Sequence, residues 1–206
     1  MLEMQHRMNT RVHEHWIEQG FEWYRAVWIE CGELMDHVGY KWWKKQVPDM
    51  EQVRLEVVDI WHFGMSALFE PDVGIDQLAQ DIASAWVDQD ASGADAEIDI
   101  ARVHLATESL AQDALASKSF SVSLFAELMH ACSLSPEQLY RHYVGKNVLN
   151  FFRQDHGYQD GTYIKEWRGR EDNEHLSELL ESLDAGAAEF PEAVYEALAS
   201  RYADAI

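Results

Sequence analysis

The chain has 206 residues, with 37 Asp plus Glu against 16 Lys plus Arg, a formal charge of −21 and a sequence pI near 4.6. At 47% hydrophobic and 12% aromatic it has the apolar matter for a packed core, which excludes disorder by composition. A surface this negative repels a phosphate backbone, whose affinity for proteins comes largely from basic side chains displacing counterions, so duplex DNA or RNA is excluded as the main partner.

The opening MLEMQHRMNTRVHEHW has no apolar run behind a basic start, and no later stretch approaches about 18 uninterrupted apolar residues. A soluble, cytoplasmic protein without a membrane partner is expected. Prolines occur only at 48, 71, 136 and 191, and between them apolar residues recur at helical steps, so the fold class is all-α. Phe21, Tyr24, Trp28, Cys31, Met35 and Val38 mark the stripe of a first long helix. After Pro48, Asp49 is the expected N-cap of a second, with Gln52 at the reciprocal capping-box position and an apolar ridge through Val53, Val57, Ile60 and Phe63. Residues 75 to 132 read as two or three further helices with a break at Ser92 and Gly93. Ser135 and Pro136 start another, with Gln138 completing a capping box, and it should run to about His156 before a left-handed Gly157. From Tyr158 to about Arg170 there is no helical period, and one or two amphipathic helices follow around Pro191. Cys31 and Cys132 fall in helix interiors, as small buried hydrophobes of a reducing compartment rather than a disulfide scaffold.

Two carboxylate pairs carry the first chemistry. Glu30 and Glu33, then Glu56 and Asp59, are each spaced i, i+3, which puts both acids of a pair on one helix face, about 60° apart. The segment from Gly39 to Asp49 is long enough to let the two helices run antiparallel with these claws facing each other. Four converging carboxylates cannot all ionise without a positive partner, and Mg²⁺ suits oxygen ligands and a phosphate-bearing substrate. A solvated acidic face would show the same spacing, but Val27, Trp28, Leu34, Val57, Val58 and Ile60 crowd the pairs and leave little face to solvate.

The second constellation lies within YVGKNVLNFFRQDHGY. On a helical wheel Tyr143, Lys146, Asn147, Asn150, Arg153 and Gln154 share one side, opposite Val144, Val148, Leu149, Phe151 and Phe152. Cations one or two turns apart suit a polyphosphate, and carboxamides suit a base edge. Nine of the 16 basic residues gather in two blocks, at Lys41, Lys44 and Lys45 and at Arg141, Lys146, Arg153, Lys165, Arg168 and Arg170, whereas residues 72 to 135 hold only Arg102 and Lys118.

The run ECGELMDHVGYKWWKK, the two carboxylate pairs, GKNVLNFFRQDHGY, GTYIKEWRGREDN and the Gln5-x-x-x-Asn9 start together resemble the dimeric all-α dUTPases, a branch of the all-α nucleoside triphosphate pyrophosphatases. The likeness covers residues 2 to 70 and 136 to 175 of a chain read as one domain, 1 to 206, and leaves 72 to 135 helical and unassigned. It implies a helical bundle with an antiparallel metal-binding helix pair, cleavage of dUTP to dUMP and pyrophosphate, dUDP as a second substrate, and a homodimer. It also implies Mg²⁺ on Glu30, Glu33, Glu56 and Asp59, with Glu33 or Glu30 as the base for a metal-polarised water. Gln5, Asn9 and Asn150 are implied near the nucleoside, and Lys146, Arg153 and Lys165 at the phosphates. Trp42 of the GYKWWK run walls the base or supports its loop, as its neighbour Trp43 could, and Lys44 and Tyr158 complete the substrate-binding set.

Three rival readings differ in chemistry. A pyrophosphatase of the same group could prefer dCTP, and a non-catalytic nucleotide-binding protein could use the claws for a structural ion. A di-iron carboxylate bundle wants Glu-x-x-His on two helices, which Glu127 with His130 fits and Asp59 with His62 nearly fits. Outside that pairing, His62, His104, His130, His142 and His156 read as structural or surface residues.

Overall fold

A computed structural model describes residues 1–86 and 98–204. Among these the chain forms nine α-helices and one short hairpin: α1 (Leu2–Val12), α2 (Trp23–Val38), α3 (Met50–Ala67), α4 (Ile75–Ala85), α5 (Ile100–Ser117), α6 (Val122–Ala131), α7 (Pro136–Asp155), β1 (Glu166–Trp167), β2 (Arg170–Glu171), α8 (Asp172–Ser182) and α9 (Phe190–Ala203). The all-α expectation holds, and among the described residues between 75 and 132 three helices occur, α4, α5 and α6; the expected break at Ser92 and Gly93 lies outside the described residues. The chain divides into two compact units, Leu2–Leu139, and Tyr140–Ile206 with Met1.

In the first unit α2, α3, α5 and α6 build the core, with α1 against α3. Helix α2 buries Val27, Cys31, Leu34 and Val38, so its inner ridge is rotated from the expected stripe and leaves Phe21 and Trp28 half exposed. Compact side chains fill this seam, where bulky rings would hold two helices apart. Asp49 caps α3 by accepting from the Gln52 amide at 3.2 Å. Its own N–H donates to the His37 carbonyl at 3.0 Å, so the bond expected from the Gln52 side chain is replaced by a tie to the end of α2. Val53, Val57 and Ile60 lie on the core face as expected, but α3 is buried on nearly every side. Trp61 stacks on Phe125 at 4.8 Å between centroids. Gly64 lets the ring of Phe120 approach so closely that a Cβ there would stand 2.4 Å from it.

In the second unit α7 is the central element. Ser135 and Gln138 exchange the capping-box bonds at its start, at 2.9 and 3.1 Å, as the spacing predicts. Tyr143 and Asn147, placed on the polar side of the wheel, are fully buried. The Tyr143 hydroxyl accepts from Asn147 and donates to the Met1 carbonyl at 3.2 Å, so this face carries an internal polar ladder instead of water. Gly157, with φ +87°, turns the chain just beyond the helix end. The aperiodic stretch that follows holds the hairpin, closed by Arg168 and Gly169 at φ +51° and +79°, the pair of positive values a type I′ turn needs. Two-residue strands are too short to reveal a period, so no alternation marks them in the sequence. Trp167 packs with Phe152, His175 and Tyr202 in an aromatic core against α8 and α9.

Candidate active site

Helices α2 and α3 run antiparallel, because His37 meets Asp49 and Glu56 while Glu30, about two turns earlier, meets Asp59. That pairing sets the two claws face to face. Glu30, Glu33 and Glu56 each bring a carboxylate oxygen within 4.8 Å of one another. Asp59 is outside this group of three but close enough for its charge to act on Glu30. Burial first, then the charge of Asp59, then the hydrogen bond and charge of Glu56 and the charge of Glu33, push the Glu30 carboxyl up to about 8. Glu56 is buried and lies 3.4 Å from His37 Nε2, while Glu33 is exposed. A hard oxygen donor set whose members resist joint ionisation fits a divalent cation, which would replace the missing proton. Among the described residues the acidic group includes neither Glu127 nor His130, as the di-iron reading would want.

The same face of α3 continues at three- and four-residue steps from Glu56 and Asp59 to His62 and Ser66. There it meets α1, which the sequence analysis did not identify as a helix. Gln5 Oε1 is 2.9 Å from His62 Nδ1; a carbonyl oxygen only accepts, so Nδ1 is the donor of this bond. Gln5 Nε2 donates to Asn9 Oδ1 and Ser66 Oγ, both at 3.1 Å, and Asn9 Nδ2 donates to Ser66 Oγ at 2.9 Å. Ser66 in turn donates to the His62 carbonyl at 2.9 Å. All four side chains are buried. Gln5 and Asn9 are thus brought together, and His62, read from the sequence as structural, belongs with them. The signal for it was present: His62 is the next three-residue step after Asp59.

Trp42 and Lys44 lie in the segment between α2 and α3. Trp42 is 90% exposed and makes an edge-on ring contact with Trp43, which itself meets Tyr40 edge-on. Lys44 is exposed. The other expected residues belong to the second unit. Lys146 and Asn150 are partly exposed on α7, and Tyr158 is half exposed just beyond it. Lys165 pairs with Glu171 at 3.1 Å on the surface. Arg153, expected at the phosphates, pairs with the fully buried Asp172, with Nε to Oδ2 at 2.8 Å and Nη2 to Oδ1 at 2.7 Å.

A family model described as dUTPase matches residues 1–158. No curated protein matches the chain.

Proposed function

The chain belongs to the all-α dUTPase family, whose activity is that of a dUTP diphosphatase, and from this premise we propose an enzyme that depends on Mg²⁺ and cleaves dUTP, and dUDP as a second substrate, to dUMP. The observation that carries the metal is the convergence of Glu30, Glu33 and Glu56, whose carboxylate oxygens lie within 4.8 Å of one another, with the Glu30 carboxyl pushed up to about 8 by its own burial and then by the charges of Asp59, Glu56 and Glu33, an arrangement that a cation relieves. Glu30, Glu33, Glu56 and Asp59 would hold the ion. Bound there, it supplies Lewis acidity to the phosphate oxygens and to the attacking water. Glu33, the exposed member, takes the proton of the water that attacks the α-phosphorus while the bond from that phosphorus to pyrophosphate breaks. The buried ring of His62, held by Gln5 at Nδ1, and Asn9 beside it supply the fixed donors and acceptors that a base edge requires.

Lys146 and Lys165 as phosphate ligands, Asn150 at the nucleoside, and Trp42, Lys44 and Tyr158 as further substrate contacts are supported by the family likeness and by their chemistry. The homodimer is supported by the same likeness. A cytoplasmic setting is supported by the two free, buried cysteines, Cys31 and Cys132, as expected in a reducing compartment; no described helix is long and apolar enough to cross a membrane.

Pyrophosphate release from dUTP, dCTP and dTTP, with Mg²⁺ and with EDTA, tests the proposal. Turnover of dUTP above the others, lost in EDTA, is expected. Turnover that survives EDTA rejects the metal, and a preference for dCTP reassigns the nucleotide. Glu33→Gln should bind dUTP without cleaving it; retained cleavage removes Glu33 as the base.

A further inference from the structure

His37 stands one helical turn after Glu33 and two after Glu30, so the face of α2 that carries the first carboxylate pair ends on an imidazole. Its backbone is fixed: its carbonyl accepts the Asp49 N–H at 3.0 Å where α3 begins, and Gly39, at φ +87°, turns the chain directly after α2. From there the ring crosses the seam and brings Nε2 to 3.4 Å from Glu56 Oε1. An ionised carboxylate only accepts, so an Nε2 facing it acts as the donor, in the neutral ring as in the charged one. Glu56 is the buried member of the converging carboxylates, and among the described residues the oxygens within 4.8 Å of one another come from Glu30, Glu33 and Glu56, without a nitrogen of His37. Glu30 hydrogen-bonds Glu56 from the other side. That bond needs a proton between two carboxyls, a place that a cation among the claws takes over. A bond from an imidazole N–H does not compete with the ion in this way.

We propose that His37 is a positioning residue of the metal site, whose Nε2–H holds the Glu56 carboxylate in the orientation that receives a divalent cation, and that it is not itself a ligand. The proposal rests on the reading of the four carboxylates as a cation site. A carboxylate free to turn about its last torsion spends part of its time pointing away from the ion, whereas one tethered through one oxygen is oriented before the ion arrives.

Binding of Mn²⁺ to the metal-free protein, read from the EPR signal of the free ion, tests this, with Mg²⁺ and Ni²⁺ as competitors for the same site. His37→Leu keeps the bulk and removes the donor, and it should weaken all three ions alike by about tenfold. His37→Gln carries an amide N–H that can reach the same carboxylate and should bind within about threefold of the parent chain, a rescue that a merely space-filling histidine would not give. Equal or tighter binding in His37→Leu, or no recovery in His37→Gln, overturns the positioning role. A loss confined to Ni²⁺, which favours imidazole, makes His37 a ligand and overturns it as well. Failure of the parent chain to bind Mn²⁺, or binding undiminished in Glu56→Gln, overturns the cation reading itself and the proposal with it. Should His37→Leu fail to fold, His37→Ala takes its place with the same expected loss and the same overturning results.

Discussion

His62 Nδ1 and Gln5 Oε1, 57 positions apart in the chain, stand 2.9 Å from each other and make α1 and α3 share one buried polar network. Removing the ring leaves Gln5 Oε1 buried without that donor, at a cost of about 1–3 kcal/mol. His62→Ala should therefore melt earlier. It should also lower kcat/KM for dUTP by about 10- to 100-fold and narrow its advantage over dCTP, since a site built around hydrogen bonds loses selectivity when one is deleted. Steady-state kinetics on both nucleotides would show this, and an unchanged ratio would take His62 out of base recognition.

The strained carboxylates predict a particular pH dependence. The Glu30 carboxyl is raised to about 8 in the folded chain, far above its ordinary value, so its favourable contribution is complete in acid, declines as pH rises above about 4.5, and is gone once pH passes 8. Between pH 5.5 and 8.5 the metal-free protein should lose thermal stability relative to Glu30→Gln, and Mg²⁺ should raise its Tm by a larger amount at pH 8.5 than at pH 5.5, where protons compete with the metal. Thermal melts of both proteins in EDTA and in Mg²⁺ read this directly. A difference between the two that does not vary with pH would sink it.

Packing around Gly64 sets opposing effects against each other. An alanine there gains up to about 1 kcal/mol of helix propensity, but its Cβ would lie 2.4 Å from the Phe120 ring, itself enclosed by Trp61 and Phe125. Overpacking of this kind costs about 1–3 kcal/mol, so the collision outweighs the propensity. Gly64→Ala should be destabilised by roughly 1–2 kcal/mol in urea unfolding, with the m-value unchanged.

Cys31 and Cys132 are free and buried, and burial pushes both thiols up to about 12. The nucleophile is the thiolate, so neither should react with iodoacetamide at pH 8 in the folded protein, and both should react in denaturant. Mass spectrometry after timed labelling reads the outcome; fast modification of native protein at either position contradicts it.

Legibility in the sequence followed the range of the interactions. The i, i+3 carboxylates declared themselves because a helix makes near neighbours in sequence near neighbours in space, and the Ser135 capping box did so for the same reason. Helix α2 was visible but its buried ridge was not, because Tyr24 and Trp28 raise the hydrophobicity of a face that the tight seam with α3 does not use. Helix α1 was hidden by its polar composition, since two of the three residues it buries are Gln5 and Asn9, with Met8 the third. Arg153 shows the limit from another side. A cation on an amphipathic helix near other cations reads as an anion ligand, and nothing local announces that its guanidinium also pairs with Asp172, 19 residues on and beyond a hairpin.

Asp172 lies outside the span that the dUTPase family model matches, whereas Arg153 lies inside it. The helix that family likeness would identify as a portable module is therefore not self-sufficient: cut after residue 158, it would keep its signature and lose the counterion of its most buried cation. The last four elements cannot be exchanged as an ornament of the domain. Any graft, chimera or shortened form that carries α7 has to bring the hairpin and the start of α8 along, and variation in that tail is constrained by a charge located in the part of the chain it does not resemble.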